Sequence, residues 1–385
     1  VRTNVEQEIR FSLPDITDDE VDAVARVLRS GWITTGAECL RLEEELADAT
    51  GAEHVVAVSS CTAAIEIAVA HLGLPRGSRI GVPTWTFVST ALAPYHRGVL
   101  PVPLDVEPDD LNLSLEALER AIDDLDAVIG VHFGGVPFRK EIRDLCATKG
   151  VPLIEDAAHA LGAQDDRGTI AGQGTAGCCW SFYATKNLTS AEGGALATDD
   201  PELARFARSF RLHGLSEDAW ARYDPRAKVA TYDVLGDGLK ANLPDVLAAL
   251  ARVQLARFPA MQERRAELVA RYRRNIARLD GLRCVPPERA ANGADHLMMV
   301  LLPQGTDRTD VRRRMQAAGV GTSVHFRPLH TFGWFDREGL APGPGGTPVA
   351  DRYAERALSL PLHTRLSDDE VDRVCDALAD ALAAR

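Results

Sequence analysis

The sequence predicts an α/β fold: a large domain with a mostly parallel sheet of about seven strands, then a smaller α+β domain. Three observations predict it. Short apolar runs recur between residues 54 and 198, and they read as solid apolar cores rather than strict alternation: HVVAVSS, RIGVP, VLPVPLD, AVIGVHF, VPLIED, CCWSFYA and GALAT. Helical segments or loops separate most of them, as parallel pairing requires. At 385 residues the chain is too long for one ordinary core, so a large domain over 1–250 and a small one over 251–385 are expected.

The elements follow in order. LPDITDDEVDAVARVLRSGW has Val21, Val24 and Leu28 at helical spacing, with Thr17 and Glu20 as a capping box and Gly31 as the stop. ECLRLEEELADATG is a charged amphipathic scaffold helix. HVVAVSS is then a strand turning into the helix SCTAAIEIAVAHLGL, so Ser60, Cys61 and Thr62 sit where backbone N–H groups can meet an anion. The same triplet also reads as a plain helix cap. PTWTFVST is a strand-to-helix turn carrying two aromatics, which suit either a core or a stacking platform. After GALAT, the 46-residue stretch 199–244 holds a helix and a long polar excursion, a length that usually means function or an interface. LPDVLAALARVQLARFPAMQERRAELVARYRRNIARL is a long helical run bridging the domains, with a break expected at Pro259. The small domain combines HLMMVLLP, DRTDVRRRMQAAGV, the loop GTSVHFRPLHTFGWF and the final helix SDDEVDRVCDALADALAA.

Composition bounds the function. Hydrophobic content of 45% and charged content of 26% describe a globular chain, and a net charge of −13 argues against a nucleic-acid footprint. No apolar run reaches the ~18 residues of a membrane span. The N-terminal VRTNVEQEIRF does not read as a secretory signal. Seven cysteines without a CxxC pair suit buried free thiols, no metal centre and a reduced, cytoplasmic setting, with Cys178 and Cys179 on opposite faces of a strand.

The chemistry concentrates in two stretches. VPLI ends in Glu155-Asp156, which is how a buried parallel strand delivers a carboxylate to the carboxyl edge of a sheet. CCWSFYA carries Ser181 and leads to Lys186, followed by the small-residue segment SAEGGALAT. Lysine forms Schiff bases with carbonyls, and a buried aspartate keeps a pyridinium nitrogen protonated, so the pair points to pyridoxal phosphate.

Taken together, the ordered motifs GWITTG, SSCTAAIEIA, PTWTFVST, EDAAHALGA, SFYATKN, AEGGALAT, GLKANLPDVLAAL, GVGTSVHFRPLH and LSLPLHTRLSDDEV resemble the DegT/DnrJ/EryC1/StrS family of pyridoxal-phosphate-dependent sugar aminotransferases over nearly the whole chain. The resemblance implies the fold of aspartate aminotransferase, fold type I, and a homodimer with active sites at the subunit interface. It implies Lys186 as the Schiff-base lysine and proton shuttle, Asp156 as partner of the ring nitrogen, and Phe87 as stacking platform. It further implies His159 near the phenolic oxygen, and Cys61, Thr62 and Ser181 on the phosphate. Asn242 resembles a contact given by the neighbouring subunit, although Ala241 stands where the family usually has an aromatic.

The expected reaction takes the amino group of L-glutamate to a nucleotide-linked ketosugar, foremost a dTDP-4-keto-6-deoxyhexose aminated at carbon 4, to make an aminosugar. A 3-keto sugar or a cyclitol ketone is the alternative acceptor, and a non-catalytic cofactor-binding regulator or scaffold is the alternative class. Sugar dehydration is disfavoured because relatives that dehydrate replace the lysine by histidine, and Lys186 is retained. Candidate sugar-binding groups are Trp32 and Thr34 near the N-terminus and His325, Phe326 and Arg327 in the HFRPLH loop, a loop that reads equally as packing at the domain seam.

Overall fold

The computed structural model describes residues 8–216 and 232–383. Its main sheet holds β1 (His54–Val58), β2 (Arg79–Pro83), β3 (Leu100–Leu104), β4 (Ala127–Val131), β5 (Leu153–Asp156), β8 (Cys178–Ser181) and β9 (Gly194–Thr198). Between β5 and β8 lies a separate hairpin of β6 (Gln164–Asp165) and β7 (Gly168–Thr169). The seven strands lie in the order β1-β9-β8-β5-β4-β2-β3. Only β9 runs against its neighbours; the β8–β5, β5–β4, β4–β2 and β2–β3 pairs are parallel, so their carboxyl ends share one edge.

Helices cover both faces, which is why the strands read as unbroken apolar runs. Val56, Val58, Ile80, Val82, Ile129, Ile154 and Cys179 pack on α3 (Cys61–His71), α4 (Ser89–His96) and α7 (Pro201–Phe210). Val55, Ala57, Cys178, Trp180, Ala195 and Ala197 point the other way, onto α2 (Ala37–Thr50) and α8 (Asp245–Ile276). Cys178 and Cys179 are thus buried in different cores, as the alternation of a strand requires. Towards the β3 edge, Val102, Leu104, Val128 and Leu153 pack on α5 (Leu115–Ala121) and α6 (Lys140–Lys149). Slipping β8 by one residue would swap Trp180 between these cores, so register is tightly specified.

α1 (Asp18–Ser30) begins and ends where the sequence predicts, with Glu20 accepting the Thr17 N–H at 2.8 Å and Gly31 as the left-handed stop. The same buried carboxylate accepts from Gln254 and Arg257 at 2.7 and 2.6 Å, which fastens α1 to α8. α8 runs unbroken for 32 residues and carries Pro259 inside it, so the expected break does not occur. Pro259 is exposed, and packing of Ala251, Phe258 and Met261 holds the turns around the one missing N–H donor.

The far half of α8 belongs to a second core: Leu268, Val269, Tyr272 and Ile276 pack with Met298, Val300, Leu358 and Leu360. Those residues come from an antiparallel sheet of β10 (Arg283–Val285), β11 (Met298–Leu301) and β12 (Ala357–Leu360). α9 (Arg308–Ala317) and α12 (Asp368–Ala383) complete this core, while α10 (Gly333–Arg337) and α11 (Pro348–Ala354) lie on the connection between β11 and β12. Ile9 joins the second core as well, exchanging backbone bonds with Gly319 and Gly321 at 2.8 Å each. Residue 250, where the sequence suggests a boundary, lies within α8. No helix among the described residues is long and apolar enough to cross a membrane.

Candidate active site

The carboxyl ends of the parallel strands open onto a cavity of about 320 Å³. β5 brings Asp156 to its floor. The Thr90 hydroxyl donates to Asp156 Oδ2 at 2.8 Å, the Ala158 N–H reaches Oδ1 at 3.2 Å, and the Cys61 thiol lies 3.8 Å from Oδ1. Burial and the Asp156 charge push the Cys61 thiol well up, so it faces the carboxylate as a neutral group.

Lys186 lies beyond the end of β8 rather than on it: the strand stops at Ser181, and the Lys186 N–H closes a turn on the Tyr183 carbonyl at 2.9 Å. Burial pushes its ammonium down to about 8, against the opposing pull of Cys61 and Asp156. Lys186 lines the cavity and is half-buried.

α3 starts at the same cavity. The Ser60 hydroxyl accepts from the Ala63 N–H at 3.2 Å and is therefore the helix cap, while the N–H groups of Cys61 and Thr62 have no hydrogen-bond partner among the described residues. Gly194 makes this possible, because a Cβ there would come within 2.6 Å of both the Cys61 nitrogen and the Trp180 carbonyl oxygen. Ser181 lines the cavity as well.

Aromatic rings frame the mouth. Phe87 and Phe326 stand 5.8 Å apart, and Phe87 is 56% exposed. His159 stacks on Phe326 at 5.9 Å and lies 4.2 Å from His296. Burial, with Lys186 and His325 nearby, holds the His159 imidazolium well below its ordinary range. His325 also lines the cavity, and burial lowers it to about 4.

The structure thus gathers Cys61, Thr62, Phe87, Asp156, His159, Ser181, Lys186, His325 and Phe326 around one space. Four predicted residues stand elsewhere. Arg327 folds back on its own loop, bonding Thr331 and lying 4.6 Å over the Phe332 ring. The Trp32 indole donates to the Thr35 carbonyl at 3.1 Å, and the Thr34 carbonyl accepts from the Asp245 N–H at 3.2 Å, which pins that turn to the start of α8. Asn242 donates to the Thr35 hydroxyl at 2.6 Å, on the same surface. Most of the polar excursion, residues 217–231, lies outside the described residues.

Sequence reading missed Thr86, Thr90, Asn187, Glu192 and His296. Thr86, Glu192 and His296 line the cavity, and Asn187 ties the lysine turn to α8 and to the segment before β11 by bonding Gln262 at 3.0 Å, the Ala294 carbonyl at 2.6 Å and His296 Nδ1 at 2.8 Å. Nothing local signals a pair 109 positions apart. Thr90 bonds Asp156 from 66 positions away, and Thr86 precedes the start of α4, so helix spacing does not link the threonines either.

A lysine with a lowered ammonium, a buried carboxylate and free N–H groups at a helix start, set at the strand ends of an α/β sheet, define a transferase that handles a carbonyl through its lysine. The chain belongs to the DegT/DnrJ/EryC1/StrS aminotransferase family, whose model matches residues 14–379. A candidate sugar aminotransferase from Streptococcus pneumoniae, solved in its PMP form and also in a PLP form, is similar with a TM-score of 0.89 and 29% identity for the PMP form, over 97% of this chain and 99% of that one. The aminotransferase TlmJ from Streptoalloteichus hindustanus has a TM-score of 0.87 and 34% identity, over 98% and 99% of the two chains. DesI, solved in the presence of its TDP-sugar product, has a TM-score of 0.84 and 29% identity, over 99% and 94%.

Proposed function

We propose that the chain is a pyridoxal-5'-phosphate-dependent sugar aminotransferase that moves an amino group from L-glutamate to a nucleotide-linked ketosugar, with a dTDP-4-keto-6-deoxyhexose, aminated at carbon 4, as acceptor. The convergence of Lys186, Asp156 and the first turn of α3 on one cavity carries this reading. The donor set fits the cofactor. Two unpaired N–H groups at a helix start, with the hydroxyls of Thr62 and Ser181, would hold a phosphate. The Asp156 carboxylate would hold the proton on the ring nitrogen, and Phe87 would cover a ring face.

When bound, pyridoxal phosphate supplies the electron sink that lets a carbon–hydrogen bond beside an amino nitrogen break. Lys186 Nζ, pushed down to about 8, is present partly as the free amine near neutral pH and can take and return that proton at little cost. His159, whose Nδ1 accepts from the Gly134 N–H and whose imidazolium is held well below its ordinary range, would offer Nε2–H as a neutral donor to the phenolic oxygen. The nucleotide of the acceptor supplies binding energy remote from the reacting carbon. DesI, with its TDP-sugar product, supports a nucleotide-linked substrate here.

The active unit is a homodimer. Asn242 and the Trp32–Thr35 turn form one surface away from the cavity, and Ile33, Val234 and Leu235 are apolar and exposed. That combination suits a face covered by a second copy, with Asn242 serving the partner's phosphate.

A coupled assay tests the reading, with glutamate as donor and dTDP- and UDP-linked 4-keto-6-deoxysugars, 3-keto sugars and free cyclitol ketones as acceptors. The expected product is a nucleotide-linked sugar carrying nitrogen on carbon 4. Nitrogen on carbon 3, or turnover of free cyclitol ketones alone, overturns the substrate assignment.

A further inference from the structure

We infer that Thr90, with Thr86 behind it, is the positioning residue that aims Asp156 at the cofactor's ring nitrogen and keeps the carboxylate from taking the ring proton for itself. This rests on the function proposed above. Thr90 Oγ1 lies 2.8 Å from Asp156 Oδ2 and 2.8 Å from Thr86 Oγ1. A carboxylate only accepts, so the single hydroxyl hydrogen of Thr90 is committed to Oδ2. Lone pairs are all that Thr90 Oγ1 then has left, and the Thr86 hydroxyl must be the donor between the two. The chain runs one way, from Thr86 to Thr90 to Asp156.

Its setting strengthens it. Thr86, Thr90 and Asp156 are 3%, 0% and 5% exposed, and successive hydrogen bonds in such surroundings polarise one another. The turn that carries Thr86 and leads into α4, where Thr90 lies, is fixed at several points. The Thr84 N–H donates to the Leu104 carbonyl at 2.7 Å, the Trp85 indole to the His325 carbonyl at 3.0 Å, and the Thr90 N–H to the Phe87 carbonyl at 3.2 Å. β-Branching restricts each threonine's χ1, so a hydroxyl once aimed stays aimed. Phe87, the ring-stacking candidate, is the residue after Thr86, so one turn serves both the ring face and the ring nitrogen's partner.

The two oxygens of Asp156 are held unequally. Oδ1 receives a backbone N–H at 3.2 Å, and the Cys61 thiol 3.8 Å away has the Cys179 carbonyl nearer, at 3.4 Å. Oδ2 receives the short hydroxyl bond. Replacing that hydroxyl by the methyl of valine keeps the volume and leaves Oδ2 buried without its donor. The carboxylate then competes for the ring proton, and the electron sink weakens.

The test uses holoprotein loaded with ¹⁵N-labelled pyridoxal phosphate. Wild type should show a protonated ring nitrogen. Thr90→Val should move that signal toward the unprotonated position and lower both half-reactions about ten- to a hundredfold. Thr90→Ser, which restores the hydroxyl, should recover both. Thr86→Val should show a smaller change of the same kind, and none in the Thr90→Val background, because Thr86 acts only through Thr90. Melting curves of cofactor-free Thr90→Val close to wild type exclude a folding defect as the cause. An unmoved ring-nitrogen signal in Thr90→Val, or Thr86 and Thr90 effects that simply add, overturns the relay while leaving the function intact. A wild-type chain that takes up no pyridoxal phosphate overturns the function and the relay with it.

Discussion

The Gly134 backbone N–H donates to Nδ1 of His159 at 3.2 Å, and this bond decides which imidazole nitrogen carries the proton. Nδ1 must be bare to accept, so Nε2 carries the hydrogen. Glutamine can offer an N–H from a similar place and leucine cannot. His159→Leu should therefore lose about tenfold or more in kcat, and His159→Gln should stay within a few fold, as steady-state rates will show. Because burial, Lys186 and His325 keep His159 neutral, it should contribute no step to the rate profile between about pH 6 and 8.

Lys186 makes a prediction about stability. In cofactor-free protein its ammonium sits at about 8 against an ordinary 10.5, so between those values the unfolded chain binds more protons than the folded one. This group's destabilising contribution is full below pH 8 and fades as pH rises towards 10.5. Lys186→Met should stabilise the cofactor-free protein at neutral pH by up to roughly 3 kcal/mol, less because the side chain is only half-buried. Denaturant titrations at several pH values check it; a gain that does not shrink as pH rises contradicts the burial argument.

Beside Asp156, the fully buried Glu155 meets Arg167 at 2.7 Å and the Thr175 hydroxyl at 3.4 Å. Burial raises its carboxyl, but His132 and Arg167 outweigh burial and hold it below the usual carboxylate range. Arg167→Met leaves a buried charge without its partner and should cost about 3–5 kcal/mol near pH 7. Adding Glu155→Gln should recover part of that loss. A carboxyl lowered in the folded state contributes stability above its unfolded value, about 4.3, that disappears as pH falls through the folded one. The Arg167→Met deficit should narrow in that acid window, measured by unfolding midpoints.

The shared-site proposal can be checked by mixing two inactive variants. Lys186→Ala and Asn242→Ala homodimers should each be weak. A reassembled one-to-one mixture should regain about a quarter of wild-type sites, because half of its dimers hold one intact Lys186–Asn242 pair across the interface. No recovery after verified subunit exchange means that Asn242 serves no partner.

The sequence was most informative where function coincides with a strand end or helix start. Asp156 and the Ser60–Cys61–Thr62 turn were legible because apolar runs stop there, and the opposed Cys178 and Cys179 were legible from alternation alone. Pro259 misled because local propensity yields to tertiary packing along α8. Where Arg327 would lie was not legible either, since a long cation can fold onto its own loop. Thr90 and the Asn187–His296 pair were hidden because hydrogen-bond partners far apart in the chain leave no periodic trace.

The most direct measurement is borohydride reduction of the pyridoxal-phosphate-loaded protein, followed by tryptic digestion and mass spectrometry. The account predicts a reduced pyridoxyl group on Lys186, which blocks cleavage there and leaves one labelled peptide spanning residues 168–205. Label on another lysine, or no stable label in protein that transaminates, would contradict it.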